Sequence, residues 1–405
     1  TADTAADDTA ADDTAADDPA TDDTAADDTA ADDTAAVDTG SAAPPTGSDA
    51  DGDGITVEDG DCDDTDRTMP LEDHDCDGVA TDDDCNDEDN TLGAVADDTD
   101  CDGSPNTEDC DSSDASIHPG ATEVLDDDID QDCNGHDAIT CEGDRYYDEA
   151  EHCGRITGSL TVEYIPEDNL DRLHSLMQVD GSMYISNVFG LKHIDIPKLH
   201  HIGSTLYVSE NIYLESLALP RLETGGISIE YNPRLTSVLL YALTEANSFY
   251  VDRNRVLSTL AIDRLNGVTG GLYVLNNHAL DALHLDGFEN ITYGDLGIIN
   301  NNSLVELSMN DLEDVPFQLY IQDNEALTSI SANQLTQIGG SFFLQDNDVL
   351  ETIELNALAS VMGVMQITDH DALTHVAFDA LSYISDTLQI TSNLSLCADD
   401  VTAFV

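Results

Sequence analysis

Along the C-terminal part of the chain, apolar and polar positions alternate in short bursts. In Leu319-Tyr320-Ile321-Gln322 the first and third residues are apolar and point one way, the second and fourth the other. This predicts a short strand with one buried face. The alternation stops at Asn324, where the chain turns, and Leu327 and Ile330 then point back at the core. The frame recurs as LYVSENIYLESLAL at 206–219, FYVDRNRVLSTLAI at 249–262, GLYVLNNHALDALHLDGFENITY at 271–293 and FFLQDNDVLETIEL at 342–355. Its register is marked by Asn211, Asn232, Asn254, Asn277, Asn301, Asn324, Asn347 and Asn393, with His370 in the one gap, at steps of 21 to 24 residues. A fixed period of this size predicts a solenoid. One coil cannot bury its own apolar side, whereas stacked coils can. A buried Asn bonds turn backbone groups, and identical Asn residues can form a ladder from coil to coil. Strands ~4.8 Å apart and roughly ten coils give a rod of about 50 Å.

Upstream the pattern changes twice. Residues 1–48 are TAADD repeats of period five, then GSAAPPTGS, with almost no large apolar side chain. Such a segment cannot offset its ordering entropy and predicts a disordered, self-repelling tether. Residues 49–137 carry two alternating half-motifs. One is D-x-D-C-[DN]-G, at Asp73-His74-Asp75-Cys76-Asp77-Gly78, Asp98 to Gly103 and Asp130 to Gly135, with Asp49-Ala50-Asp51-Gly52-Asp53-Gly54 lacking the Cys. The other is D-C-[DN]-x-x-D, from Asp61, Asp84 and Asp109.

This spacing suits a hard cation. Carboxylates at positions 1, 3 and 5 converge when Gly at 6 bends the chain, position 7 offers a carbonyl and position 12 closes the shell. Asp73, Asp75, Asp77, the Val79 carbonyl and Asp84 fit, as do Asp98, Asp100, Asp102, the Ser104 carbonyl and Asp109. The copy of Asp49, Asp51 and Asp53 closes one residue late at Asp61, and that of Asp130, Asp132 and Asn134 would have to close at Cys141 or Glu142. The expected ion is Ca2+, three or four per chain. A merely solvated acidic loop and thiolate-bound zinc or copper are the alternatives; the CxxC spacing of a zinc site is missing.

Nine Cys are present. Pairing forward from each second half-motif gives Cys62–Cys76, Cys85–Cys101 and Cys110–Cys133; the alternative, Cys76–Cys85 with Cys101–Cys110, strands Cys62 and Cys133. Cys141–Cys153 would close the solenoid's N-terminal cap, leaving Cys397 odd. With so few apolar residues, bridges and ions must replace a core here. Disulfides imply an extracytoplasmic setting, secreted or at the outer cell surface.

The solenoid frame resembles the receptor L domain, a leucine-rich-repeat relative, over about 160–400. Strict leucine-rich repeats read LxxLxLxxN; here the LxL strand precedes the Asn and a second LxxLxL follows, which points to the L-domain variant with more than one strand per coil. L domains often end in a Cys paired further on, so the resemblance implies that Cys397 has a partner beyond Val405. Residues 49–137 resemble thrombospondin type 3 calcium repeats. They are closer still to a metal-binding motif of secreted bacterial proteins, whose PGAxE…D-x-D-C-x-G run is matched by Pro119-Gly120-Ala121-Thr122-Glu123 and Asp130 to Gly135. The expected class is mainly β: a right-handed β-solenoid, its hand not readable from the residues themselves, with a loop-rich calcium and disulfide module and a disordered N-terminal tether. The expected divisions are 1–48, 49–137, a cap at 138–157, and 158–405.

Net charge is −75, from 86 acidic against 11 basic residues. Phosphate would be repelled, so nucleic acid is excluded as a partner; cations and basic surfaces are favoured. No apolar run of about 18 residues exists, so no membrane span is expected. A start at Thr1 without a signal peptide suggests a processed product, and the tether resembles the linker after a lipoprotein anchor, so a lipid anchor upstream is conceivable. The chain is expected to be a monomer.

Tyr184, Tyr207, Tyr250, Tyr273, Tyr320 and Phe343 fall at one outward position on successive coils, interrupted by Ser228 and Gly297. They read either as cross-strand packing or as a ligand face for a protein or glycan. Asp323, Asp346 and Asp369 should stack and would repel unless a cation or protons intervene. Glu230 and Asp252 are outward carboxylates on neighbouring coils, the weak basis for a β-helix polysaccharide hydrolase. No nucleophile triad or P-loop supports catalysis, and no enzyme is expected. The expected function is a bacterial calcium-binding protein with the solenoid as binding or adhesion module; the alternative is a protein that sequesters copper or zinc.

Overall fold

A computed structural model describes Gly52, Thr56, Cys62, Thr65, Arg67, residues 73–166 and residues 169–397. The chain divides into two compact units, Thr1–Asp73 and His74–Val405. The expected tether, and Asp49, Asp51, Asp53 and Asp61 of the first motif, lie outside the described residues.

The period written in the sequence becomes a parallel β-solenoid of about ten turns. Each coil contributes three short strands to three stacks. Leu319–Gln322, Ser329–Ser331 and Gln337–Ile338 form one such coil, and Phe342–Gln345 opens the next. Register is strict: Leu319, Tyr320, Ile321 and Gln322 lie beside Phe342, Phe343, Leu344 and Gln345. Among the described residues all the paired strands run parallel, in sheets of 22, four and five strands. The 22-stranded sheet joins two stacks through the long strands His201–Ser209 and Thr224–Glu230. More than one strand per coil is what the doubled LxL pattern predicted.

The core is one continuous apolar column. Leu319 and Ile321 are fully buried, as are Leu327 and Ile330 on the far side of the turn, and Phe249, Phe288 and Phe342 are the largest fully buried side chains. Burying each such side chain is worth roughly 1.5–3 kcal/mol.

Asparagine solves the turn. All seven ladder Asn residues from Asn211 to Asn347 are inaccessible to solvent. The first six donate their backbone N–H to the next coil's Asn Oδ1, as in Asn301 to Asn324 and Asn324 to Asn347, both 3.0 Å, and the Asn347 N–H donates to Nδ1 of His370. Each amide also donates to a carbonyl of the preceding coil's strand, Asn324 to Ile298 at 3.0 Å. The residue before each Asn is left-handed, with φ of 55° at Asp323 and 53° at Asp346. That conformation aims the Asn inward. Asn and Asp tolerate it best, and Asn276, Asn300, Asp323 and Asp346 are of this kind, as is Asp369 before His370.

The solenoid starts under the Cys141–Cys153 bridge, where Ile139–Cys141 lies parallel to Cys153–Ile156. Residues 74–138 are built differently. Their only regular pairing is an isolated antiparallel bridge between Asp84 and Ala94, and Ala121 and Ala138 are their only buried apolar residues. Cys85–Cys101 and Cys110–Cys133 pair as expected, and Cys62 and Cys76 are each disulfide-bonded. Cys397 is free and exposed.

Candidate metal centre and solenoid surface

The D-x-D-C-x-G copies share one loop. Cys76, Cys101 and Cys133 are left-handed (φ 66°, 62° and 56°), and so are the glycines two residues on, Gly78, Gly103 and Gly135 (φ 98°, 93° and 98°). The glycine at position 6 therefore does what the motif requires: it supplies a φ that a side chain would strain.

The second copy gathers its ligands. Carboxylate oxygens of Asp98, Asp100 and Asp102 lie within 4.8 Å of one another. Asp98 is buried and anchored: it accepts the N–H of Cys101 at 2.9 Å and of Gly103 at 2.8 Å. Asp102 turns one oxygen onto the Ser104 N–H at 2.7 Å. What remains is anomalous. Both oxygens of Asp100, and one each of Asp102 and Asp109, are buried with no hydrogen-bond partner. Burial pushes the Asp100 carboxyl above the usual range, reinforced by the charges of Asp102, Asp109 and Asp98. Unpaired buried carboxylates that face one another are unfavourable unless a cation joins them.

Not every acid in the module is of this kind. Asp89 and Asp114, at the ends of the D-C-[DN]-x-x-D half-motifs, hold loop turns. Thr91 and Ser116 hydrogen-bond to them through both hydroxyl and backbone N–H, which lowers each carboxyl below its ordinary value. They are satisfied without an ion.

The Asp73 frame begins in the first unit, where Asp73 is buried. Its residues in the second unit keep the same local bonds: Asp77 N–H to Asp75 at 3.2 Å and Val79 N–H to Asp77 at 2.8 Å. At the closing position Asp84 accepts the Asn86 N–H at 2.9 Å with one oxygen, and the other is buried without a partner.

The copy from Asp130 closes differently from expectation. Cys141 is bridged to Cys153 and Glu142 accepts the Thr157 hydroxyl, so neither reaches the frame. The third carboxylate is Glu123, upstream, within 4.8 Å of Asp130 and Asp132. It was missed as a site residue because closure was sought downstream; the Pro119–Glu123 turn was the signal. Asp109 also lies near Cys110 and Cys133, but both sulfurs are in a disulfide and are not thiolate ligands.

On the solenoid, the aromatic column packs against itself. Tyr184 stacks on Tyr207 at 5.0 Å and Tyr320 on Phe343 at 5.3 Å, while Tyr250 meets Tyr273 at 5.9 Å, tilted. Tyr273 leans across the Gly297 gap: a Cβ there would come within 2.7 Å of its ring. Its hydroxyl donates to Asp295 at 2.9 Å, and burial together with that carboxylate pushes it up to about 12. The six rings form pairs that are half-buried or nearly so. These ring contacts are those that the packing reading expects, and Tyr184 and Tyr207 stay exposed.

Asp323, Asp346 and Asp369 form no candidate ligand group among the described residues. Burial, then the charges of Asp346 and Glu325, raise the Asp323 carboxyl above its ordinary value. Asp252 is buried and bound by Arg253 at 2.6 Å and Asn276 at 2.7 Å, while Glu230 accepts the Ser228 hydroxyl at 2.7 Å.

The open feature of the solenoid lies along the turn edge. A groove of about 370 Å3 is lined by Asn187 and Phe189, Glu210 and Ile212, Tyr231 and Pro233, Arg253 and Arg255. These are the residues on either side of the ladder position on four successive coils. Phe189 is 59% exposed and Tyr231 46%. The Arg253 guanidinium lies 4.9 Å over the Tyr231 ring and donates to its hydroxyl at 2.6 Å.

Two family models match parts of the chain. That described as "Putative metal-binding motif" matches residues 61–70 and 109–138, and its short name, Cu-binding MopE, refers to copper. That described as "Receptor L domain" matches residues 152–247. The first covers the last acidic frame and the second the opening coils of the solenoid. No curated protein matches the chain. Among the described residues, no helix is long and apolar enough to cross a membrane.

Proposed function

We propose that this is an extracytoplasmic calcium-binding protein, secreted or held at the outer surface of a bacterial cell, whose solenoid is a non-catalytic binding or adhesion module for a protein or glycan. The observation that carries the metal reading is Asp100, whose two carboxylate oxygens are buried without a donor beside Asp102 and Asp109. Calcium is favoured over copper or zinc by donor chemistry. Of the nine Cys, eight are in disulfides and Cys397 is remote in sequence from the frames, so the ligands offered are oxygens, which suit hard cations. The disulfides fit an oxidising compartment. The exposed rings and guanidinium groups of the turn-edge groove are where a partner of the solenoid would sit.

The test is calorimetric titration of the oxidised chain with Ca2+, Mg2+, Cu2+ and Zn2+. Calcium sites at roughly 10⁻⁴–10⁻³ M, one of them lost in Asp100→Asn, are the expected result. Tight copper or zinc binding with calcium ignored would replace this reading by metal sequestration.

A further inference from the structure

The frame at Asp130 is a metal-type loop that already holds a positive charge. Glu123 and Asp132 are 5% and 8% exposed, and their carboxylates converge with that of Asp130. Most of the oxygens are tied to backbone. Glu123 accepts N–H groups of Asp132 at 2.8 Å and Ala138 at 2.9 Å. Asp130 accepts those of Asn134 at 3.0 Å and Gly135 at 2.7 Å, and one oxygen of Asp132 takes Asn134 at 3.2 Å. The last oxygen, Oδ2 of Asp132, receives the ammonium of Lys198. Lys198 comes from the solenoid, 66 residues away, and the two side chains are 18% and 5% exposed. In the Asp98 frame the corresponding oxygens face one another with no protein cation among them.

We infer that Lys198 is the built-in cation of the last frame: its ammonium takes the place of a divalent ion, so this frame binds no metal and pins the acidic module to the solenoid whether or not calcium is present. The inference rests on the calcium reading of the other frames. The physical case is one of competition. An ion entering here must displace an ammonium that is tethered, largely buried and paired, and would leave that ammonium without its carboxylate in a poorly hydrated place. A second contact secures the same junction. Leu125, between Glu123 and Asp130 in sequence, sits against Gly154 of the first coils so closely that a Cβ on Gly154 would lie 2.3 Å from it. Asn134 also donates to Ser175 at 3.4 Å.

Two variants of the full oxidised chain test this, Asp132→Asn and Lys198→Met, with bound Ca2+ counted by equilibrium dialysis. Asp132→Asn is expected to keep the wild-type ion count, because its frame holds no ion to lose. Lys198→Met keeps the apolar stem and removes the charge; it is expected to bind one Ca2+ more than wild type. Loss of one ion in Asp132→Asn overturns the inference, as does an unchanged count in a Lys198→Met chain whose far-UV spectrum is native. If Lys198→Met fails to fold, the Asp132→Asn count alone decides. A wild-type chain that binds no calcium defeats the functional reading only, and the gain of one ion or none in Lys198→Met still decides the inference.

Discussion

The solenoid and the acidic module handle buried polar groups in opposite ways. In the solenoid every buried ladder Asn finds protein partners on both neighbouring coils, and neutral amides do the work. In the module the buried polar groups are mostly carboxylates, and those of Asp84, Asp100, Asp102 and Asp109 keep oxygens that no protein donor reaches. The solenoid has a continuous apolar column; residues 74–138 bury two alanines. A repeat that completes its hydrogen bonds from within is stable on its own, whereas a segment that leaves anionic oxygens unanswered depends on something outside the chain. Beyond its Cys141–Cys153 cap the rod should therefore be indifferent to ions and redox state, and the module governed by both.

The largest effect should come from adding a chelator and reducing the bridges together. Cys85–Cys101 and Cys110–Cys133 close sequence separations of 16 and 23 residues, each worth about 3 kcal/mol by the chain-entropy account. With chelator and reductant, amides of 74–117 should exchange with solvent at the rate of an unfolded chain while the ladder amides keep their protection. Exchange of both regions in step would erase the distinction. Next in size is Asn324→Ala. It strips the Asn301 N–H and the Ile298 carbonyl of their buried partner, at a cost of about 1–3 kcal/mol for each orphaned group. Thermal unfolding with and without Ca2+ should show the same loss in both. A loss that calcium repairs would tie the rod to the ion after all.

How legible each feature was follows from how it repeats. The alternation and the Asn register recur every 21 to 24 residues, so the parallel coils, the ladder and the inward Leu and Ile could be read directly. The D-x-D-C-x-G loops were legible because glycine at position 6 is a backbone requirement written as a residue type. The turn-edge groove was not. Its positions change chemistry on every coil, from Asn187 and Phe189 to Arg253 and Arg255, and no period exposes them until the ladder has aligned the coils. The aromatic column was visible, but its role turned on Tyr273 lying over Gly297, which is a matter of rotamer. Glu123 lies just upstream of the Asp130 frame, outside its 12-residue window but marked by the Pro119–Glu123 turn; Lys198 comes from 66 residues away, and a contact that distant leaves no mark on local spacing.

The smallest predicted effect sits where the solenoid departs from its own rule. His370 stands in for a ladder Asn and is fully buried. Its Nδ1 accepts the Asn347 N–H at 3.2 Å and its Nε2–H donates to the Leu344 carbonyl at 3.1 Å. Only the neutral ring can do both, since the protonated ring has no acceptor. Burial lowers its pKa below 6.5, against the opposing pull of the Leu344 and Asn347 carbonyls and of Asp346 and Asp369. The unfolded chain thus binds a proton that the folded one refuses. The stability contributed by neutral His370 is present above about pH 6.5 and is lost as pH falls toward the lower folded pKa. His370→Asn restores an uncharged ladder rung and should remove this loss. Compared by thermal unfolding, the variant should gain on wild type between pH 7.5 and pH 5, because the carboxylates of the module titrate equally in both and cancel. Parallel pH profiles would mean that the ring accepts its proton without leaving the ladder. The rod would then tolerate a buried charge.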